Sequence, residues 1–359
     1  VKKKATLCIL LSLLLVFGFV FVGCGDDPAT DAPAPDDAPD DAPDAPDEPA
    51  ADVPDDWPGT VTLGTAGVGG VYFVYGGGIG SMIDDIVGVP TGVEQTGGPA
   101  DNMMLVHDGA IELGMITMGI GYEGWNALEG TAFEGEEHDN VRALFPMYST
   151  YSQWWAHADS GITTLRDLDG KQVGVGPTGG TPGTYHPQIL EALGVDASPV
   201  WGATGDLVES HADRQIDANS QATGLPMGGL LSYEATVGAD NVVMLPIEGD
   251  DRDEVIEAMP FWVPGTIPAD TYDFLDDDLE TVVVFNWFIG HKDLPDSLIY
   301  EIVDAVMTNN DRVVSIHEAG RETVPENVGT NDFLPLHPGA AQWFEDNGYD
   351  VPAGAQPID

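Results

Sequence analysis

From Val61 onward, short apolar runs alternate with stretches of helical periodicity, and glycine-rich turns join them. Val61–Thr65 reads as a strand that runs into Ala66-Gly67-Val68-Gly69-Gly70, and a helix from about Tyr72 to Val87 follows. A second strand, Val89–Glu94, ends at Thr96-Gly97-Gly98-Pro99, with a helix over 100–108 and a third strand over 111–117. Further strands are expected over 141–146, 152–158, 171–175, from 216, over 242–245 and over 281–289. Helices are expected over 185–193, with Gly194 as a C-cap, and over 204–212. Residues 298–317 read as a single long helix with apolar residues at helical spacing. Strands and helices in alternation, joined by short turns, specify an α/β fold with largely parallel sheets.

Charge then excludes whole classes of partner. The 359 residues carry 61 Asp and Glu against 11 Lys and Arg, a formal net charge of −50. Three of those bases are Lys2, Lys3 and Lys4, so the rest of the chain sets eight bases against all 61 acids. Such a surface repels phosphate backbones, and no nucleic-acid partner is expected. Dense carboxylates with almost no lysine fit a protein adapted to high salt, where counter-ions screen the self-repulsion. The only cysteines are Cys8 and Cys24, which leaves the body without a disulfide, a thiolate metal site or a cysteine nucleophile.

The first residues read as a targeting segment. A basic stretch precedes an apolar run from Ala5 to Val22, and Phe21-Val22-Gly23-Cys24 resembles the lipobox of prokaryotic lipoproteins. The expectation is a signal peptide over 1–23, acylation of Cys24, and a mature chain tethered outside the cytoplasmic membrane. Residues 24–58 are almost entirely Asp, Ala and Pro, with nothing to bury against the cost of ordering, so a disordered, extended spacer is expected there.

In open α/β sheets, ligands bind where strand ends turn into helix N-termini, which present backbone N–H groups and a positive dipole. Three early turns of this chain are of that kind and rich in Gly and Thr. A single such loop makes a turn and nothing more; several together point to a site for a carboxylate or phosphate.

The order Gly67-Val68-Gly69-Gly70-Val71-Tyr72, Glu94-Gln95-Thr96-Gly97-Gly98 and Ile111-Glu112-Leu113-Gly114 resembles the solute receptors of TAXI-type TRAP transporters. The run from Asp159-Ser160-Gly161-Ile162 through Leu165-Arg166-Asp167-Leu168-Asp169-Gly170-Lys171 to Gly176-Pro177 continues the resemblance. So do Ile216-Asp217-Ala218, Pro226, Ile267-Pro268-Ala269-Asp270-Thr271-Tyr272 and Leu336-His337-Pro338-Gly339-Ala340-Ala341. The resemblance implies a two-lobed type II periplasmic-binding-protein fold, with hinge strands near 154–158 and 282–289 and a central ligand cleft. It places lobe 1 over 59–158 and 280–359 and lobe 2 over 159–279. It also implies a non-enzymatic receptor that hands a small solute, often an organic acid or amino acid, to an ion-gradient-driven TRAP permease. A monomer is expected. No cofactor or metal is expected. Many members carry Gly-Ser-Gly-Thr where this chain has Thr178-Gly179-Gly180-Thr181-Pro182-Gly183-Thr184.

The early loops contain no Arg or Lys, and the nearest bases in the sequence are Arg142 and Arg214. A small anion is therefore expected on backbone N–H and hydroxyl groups at Gly69, Gly70, Thr96, Gly97, Gly98 and Thr117. Thr178, Gly180, Thr181 and Thr184, with Thr223, should close over it from lobe 2. Tyr72 either lines the cleft or packs its helix.

Two other readings stay open on the residues alone. Gly174-Val175-Gly176-Pro177-Thr178-Gly179 fits the dinucleotide pattern G-x-G-x-x-G, although Pro177 stiffens the turn and removes a donor. A structural or adhesive surface lipoprotein would share the leader and spacer but would not need clustered Gly and Thr loops at strand ends.

Overall fold

The computed structural model describes residues 54–358. The leader, Cys24 and the spacer up to residue 53 lie outside the described residues.

In chain order the elements are β1 (Val61–Gly64), α1 (Val71–Met82), β2 (Thr91–Glu94), α2 (Pro99–His107), β3 (Leu113–Thr117), α3 (Met118–Trp125) and β4 (Val141–His157). There follow β5 (Gln172–Gly174), α4 (Thr181–Ala192), β6 (Ser198–Val200), α5 (Thr204–Ala212), β7 (Ala218–Thr223), α6 (Gly228–Val237), β8 (Val242–Met244), α7 (Gly249–Ala258) and β9 (Val263–Ile267). The chain closes with β10 (Leu279–His291), α8 (Asp296–Met307), α9 (Asn310–Ile316) and α10 (Pro338–Asp346). Among the described residues no helix is long and apolar enough to cross a membrane.

The sheet runs β2-β1-β3-β10-β4-β7-β5-β6, with β8 paired to β4 and β9 to β10. β1 pairs in parallel with β2 and β3, and β5 does so with β6 and β7. These two parallel groups are joined only through the antiparallel pair β4 and β10. β4 is 17 residues long, or about 55 Å when extended. Its first part pairs with β10, and Tyr151–Ala156 pairs with β7. The result is a two-lobed type II periplasmic-binding-protein fold, with a central cleft and two long strands running through the hinge.

The strands expected over 141–146 and 152–158 form one strand, β4, even though Tyr148-Ser149-Thr150-Tyr151-Ser152-Gln153 is polar. The structure keeps one strand because those groups find partners. The Ser149 N–H and hydroxyl both donate to Glu322. Thr150 bonds Asn286, and the Gln153 amide donates to the Thr223 carbonyl while accepting from the Tyr272 hydroxyl. A buried polar group with partners costs little, so the ladder continues.

The helix expected over 298–317 is also corrected. It breaks at Thr308–Asn309, where Asn309 leaves helical geometry and its amide donates to the Ala305 carbonyl. Leu298, Ile299, Ile302, Val303 and Val306 of α8 are fully buried on one face. Each such side chain contributes about 1.5–3 kcal/mol relative to exposure. α4 contains Pro187, which cannot donate to the Gly183 carbonyl four residues earlier. The Trp201 indole N–H donates to that carbonyl instead, at 3.0 Å, and ties the loop before α5 to α4.

Candidate functional site

A cavity of about 50 Å³ lies in the cleft. Five helices begin at its wall. β1 turns through Gly69 (φ 97°) and Gly70 into α1, and β2 turns through Gly97 and Gly98 (φ 125°) into α2. β3 runs directly from Thr117 into α3. From the second lobe, Pro177–Gly180 leads into α4 and Ala203 into α5. None of the five starts has a side-chain cap. Two first-turn amides are used across the cleft: Val71 N–H donates to the Thr223 hydroxyl at 3.1 Å, and Ala100 N–H to the Gly179 carbonyl at 3.0 Å. The positive ends of five helix dipoles thus converge on one small space.

The lobes meet closely here. Besides those two bonds, Gly229 N–H donates to the Gly69 carbonyl at 3.2 Å. The Thr117 and Thr181 hydroxyls pair across the cavity at 3.2 Å. At Gly98 an added Cβ would stand 3.0 Å from the Gly180 Cα, so both the positive φ and the close approach of the lobes require glycine.

Of the residues singled out in the sequence, Gly70, Tyr72, Gly97, Gly98, Thr117, Gly180, Thr181 and Thr223 line the cavity together. The Tyr72 hydroxyl donates to Asn286 Oδ1 at 2.7 Å, and burial holds it neutral by raising it well above the usual tyrosine range. Four others lie elsewhere. Gly69 sits one residue behind, with its carbonyl committed to Gly229. Thr96 shapes the loop, since its hydroxyl donates to the Thr65 carbonyl at 2.7 Å and accepts from Gly98 N–H. Thr178 and Thr184 face a second, larger chamber of about 390 Å³ between the lobes.

Three lining residues with polar side chains were not among the expected site residues: Thr150, Thr204 and Gln221. Thr204 opens a helix and obeys the rule that found the others. Thr150 and Gln221 lie within β4 and β7, away from the helix starts that the expectation followed. Gln221 is 4% exposed, and its side-chain nitrogen has no hydrogen-bond partner.

Among the described residues no Asp, Glu, Lys, Arg or His lines the cavity. Arg142 is buried away from it, donating to the Asp139 and Val141 carbonyls, and Arg214 pairs with Asp159 at 3.0 Å. His337 caps α10, its Nδ1 accepting from Gly339 N–H. Among the described residues no group of three or more His, Cys, Asp or Glu side chains is arranged to hold a metal ion.

The second chamber differs. It is lined by Asp101 of α2 and Glu123 of α3, with Gln188 of α4 opposite. Glu123 is 7% exposed. Burial pushes its carboxyl up to about 7, and the neighbouring Tyr185 hydroxyl of α4 works in the opposite direction.

Among solved structures, the fold resembles MatC from Rhodopseudomonas palustris, determined with bound malate. The TM-score is 0.52 at 15% identity, over 76% of this chain and 92% of that one. PhnD1 from Prochlorococcus marinus, in complex with methylphosphonate, gives a TM-score of 0.49 at 10% identity, over 74% and 91%. An ancestral arginine-binding protein bound to arginine gives 0.45 at 14% identity, over 73% and 97%. Residues 63–348 match the model of the NMT1-like family, which covers most of the chain, and the chain belongs to that family.

Proposed function

We propose that this protein is an extracytoplasmic solute receptor of the TAXI type. It captures a small anionic solute between its lobes and delivers it, without chemical turnover, to the membrane subunit of an ion-gradient-driven TRAP permease. The observation that carries this reading is the convergence of five helix starts, each without an N-cap side chain, on an interlobe cavity whose described lining has no ionised side chain. Fixed dipoles and N–H groups of this kind bind an anion without a counter-charged side chain. Charge-assisted hydrogen bonds contribute about 1.5–3 kcal/mol each, so a few of them support micromolar affinity.

The lobes are assigned as 59–158 with 280–359, and 159–279, in line with β4 and β10 being the joining strands. Closure would proceed by bending at that pair while each lobe moves as a body. Cys24 carries the lipid anchor, and residues 24–58 form the acidic spacer that sets the receptor off from the membrane. With eight bases against 61 acids beyond the leader, spacer included, the chain is suited to high salt. Its melting temperature should rise steeply from about 0.1 M salt and level off near 1 M, where the Debye length has shrunk to about 3 Å. A flat profile refutes halophilic adaptation.

The test of the receptor reading is titration with small organic acids and amino acids, followed by the intrinsic fluorescence of the eight tryptophans. Saturable binding with the solute recovered unchanged is expected. Turnover of the solute, or no binding by any of them, overturns the reading. Cys24→Ser should release the protein to the soluble fraction or leave it unprocessed. A processed variant that stays on the membrane overturns the anchor.

A further inference from the structure

We infer that the solute is a two- or three-carbon monocarboxylate whose second polar group accepts hydrogen bonds, and that α-amino acids are rejected. This rests on the receptor reading and narrows it. The helix starts at the cavity are joined there by a buried, unpartnered donor, the Gln221 side-chain nitrogen.

The inventory of free hydrogen-bonding groups decides the class. Thr223 already accepts from Val71 N–H, which leaves its own proton available. The Thr117 and Thr181 hydroxyls share one proton between them, so the second is free to turn toward a solute. With Gln221, the cavity offers donors. It holds no carboxylate that would pair with an ammonium group, and five helix starts place positive potential where that ammonium would sit. A buried charge without a partner is strongly disfavoured. The Gln221 carboxamide oxygen offers an ammonium only one neutral acceptor, which does not offset those helix ends.

Size sets the other limit. A cavity of about 150 Å³ admits benzene. This one, at about 50 Å³, takes a smaller solute, and the four hydrogen bonds between the lobes would have to give way for a second carboxylate.

L-lactate and L-alanine have the same number of heavy atoms and differ in hydroxyl against ammonium, so they separate the charge requirement from size. Titration calorimetry of the folded chain with glycolate, pyruvate, L-lactate, L-alanine, L-glutamate and malate should give binding of the first three. Lactate should exceed alanine by at least about 100-fold, as expected for a polar site faced with an unmatched group. Gln221→Glu, checked for folding by its melting curve, should weaken lactate and bring the lactate-to-alanine ratio toward one.

Alanine or glutamate binding as tightly as lactate overturns the inference and leaves the receptor reading standing. Malate binding as tightly as lactate overturns the size limit in the same way. An unchanged lactate-to-alanine ratio in Gln221→Glu overturns the role of Gln221. Failure of all six, amino acids included, overturns both the inference and the receptor reading.

Discussion

The two interlobe spaces lie back to back on the same pair of loops, yet their chemistry is opposite. On one side of the contact between Ala100 and Gly179, the cavity of about 50 Å³ presents amides, hydroxyls and one carboxamide. On the other, the chamber of about 390 Å³ presents the carboxylates of Asp101 and Glu123. Helix geometry explains the split. The N–H groups of a first turn point along the axis, out of the helix start, whereas side chains radiate from its flank. A helix aimed end-on at one space therefore lends it backbone, and lends its side chains to the space beside it. Asp101 shows both relations, since its carboxylate accepts Gly97 N–H at 3.0 Å while lining the neighbouring chamber. On the proposed reading, an anion in this cleft needs no basic residue, even with Asp101 and Glu123 standing close by.

The largest effect should come from destroying the shared wall. Gly98→Val puts a side chain against the Gly180 backbone at a positive φ. Lactate affinity should fall by at least about 100-fold, or ~2.7 kcal/mol. Calorimetry that returns wild-type affinity would mean that the lobes do not meet as described.

The next effect belongs to the chamber alone. Burial raises the Glu123 carboxyl to about 7, so the folded chain holds a proton that the unfolded chain gives up near the ordinary glutamate value. Its contribution is fully present below about pH 4.3 and is lost as pH rises through 7, by up to about 3 kcal/mol. Denaturant unfolding at pH 5 and pH 8 should show a smaller difference for Glu123→Gln than for the wild type. Equal differences would remove Glu123 from this account.

The smallest effect separates two threonines three residues apart. Thr181→Val deletes a hydroxyl that faces the cavity and should weaken lactate by about 5-fold, or ~1 kcal/mol. Thr178→Val alters only the chamber side and should leave lactate affinity within about 2-fold. Reversal of that order would exchange the roles of the two spaces.

Local pattern carried much of this. The strand and helix alternation, the Gly and Thr turns at Gly70, Gly97–Gly98 and Gly180–Thr181, and the absence of a basic clamp are properties of neighbouring residues. They follow from the backbone freedom of glycine and from where a helix can start. Ordered motifs extended that reading to the two-lobed architecture, and the fold agrees with it.

Tertiary structure alone decided the continuity of β4, because its polar middle is tolerated only where Glu322, Asn286 and Tyr272 arrive from distant parts of the chain. It alone turned Thr178 and Thr184 away from the cavity and turned Gln221 and Thr150 into it. Sequence determines that a helix begins and that its first amides have no partner within that helix. Which other helix ends it faces depends on two strands carrying lobes together across more than a hundred residues, and no local propensity encodes that meeting.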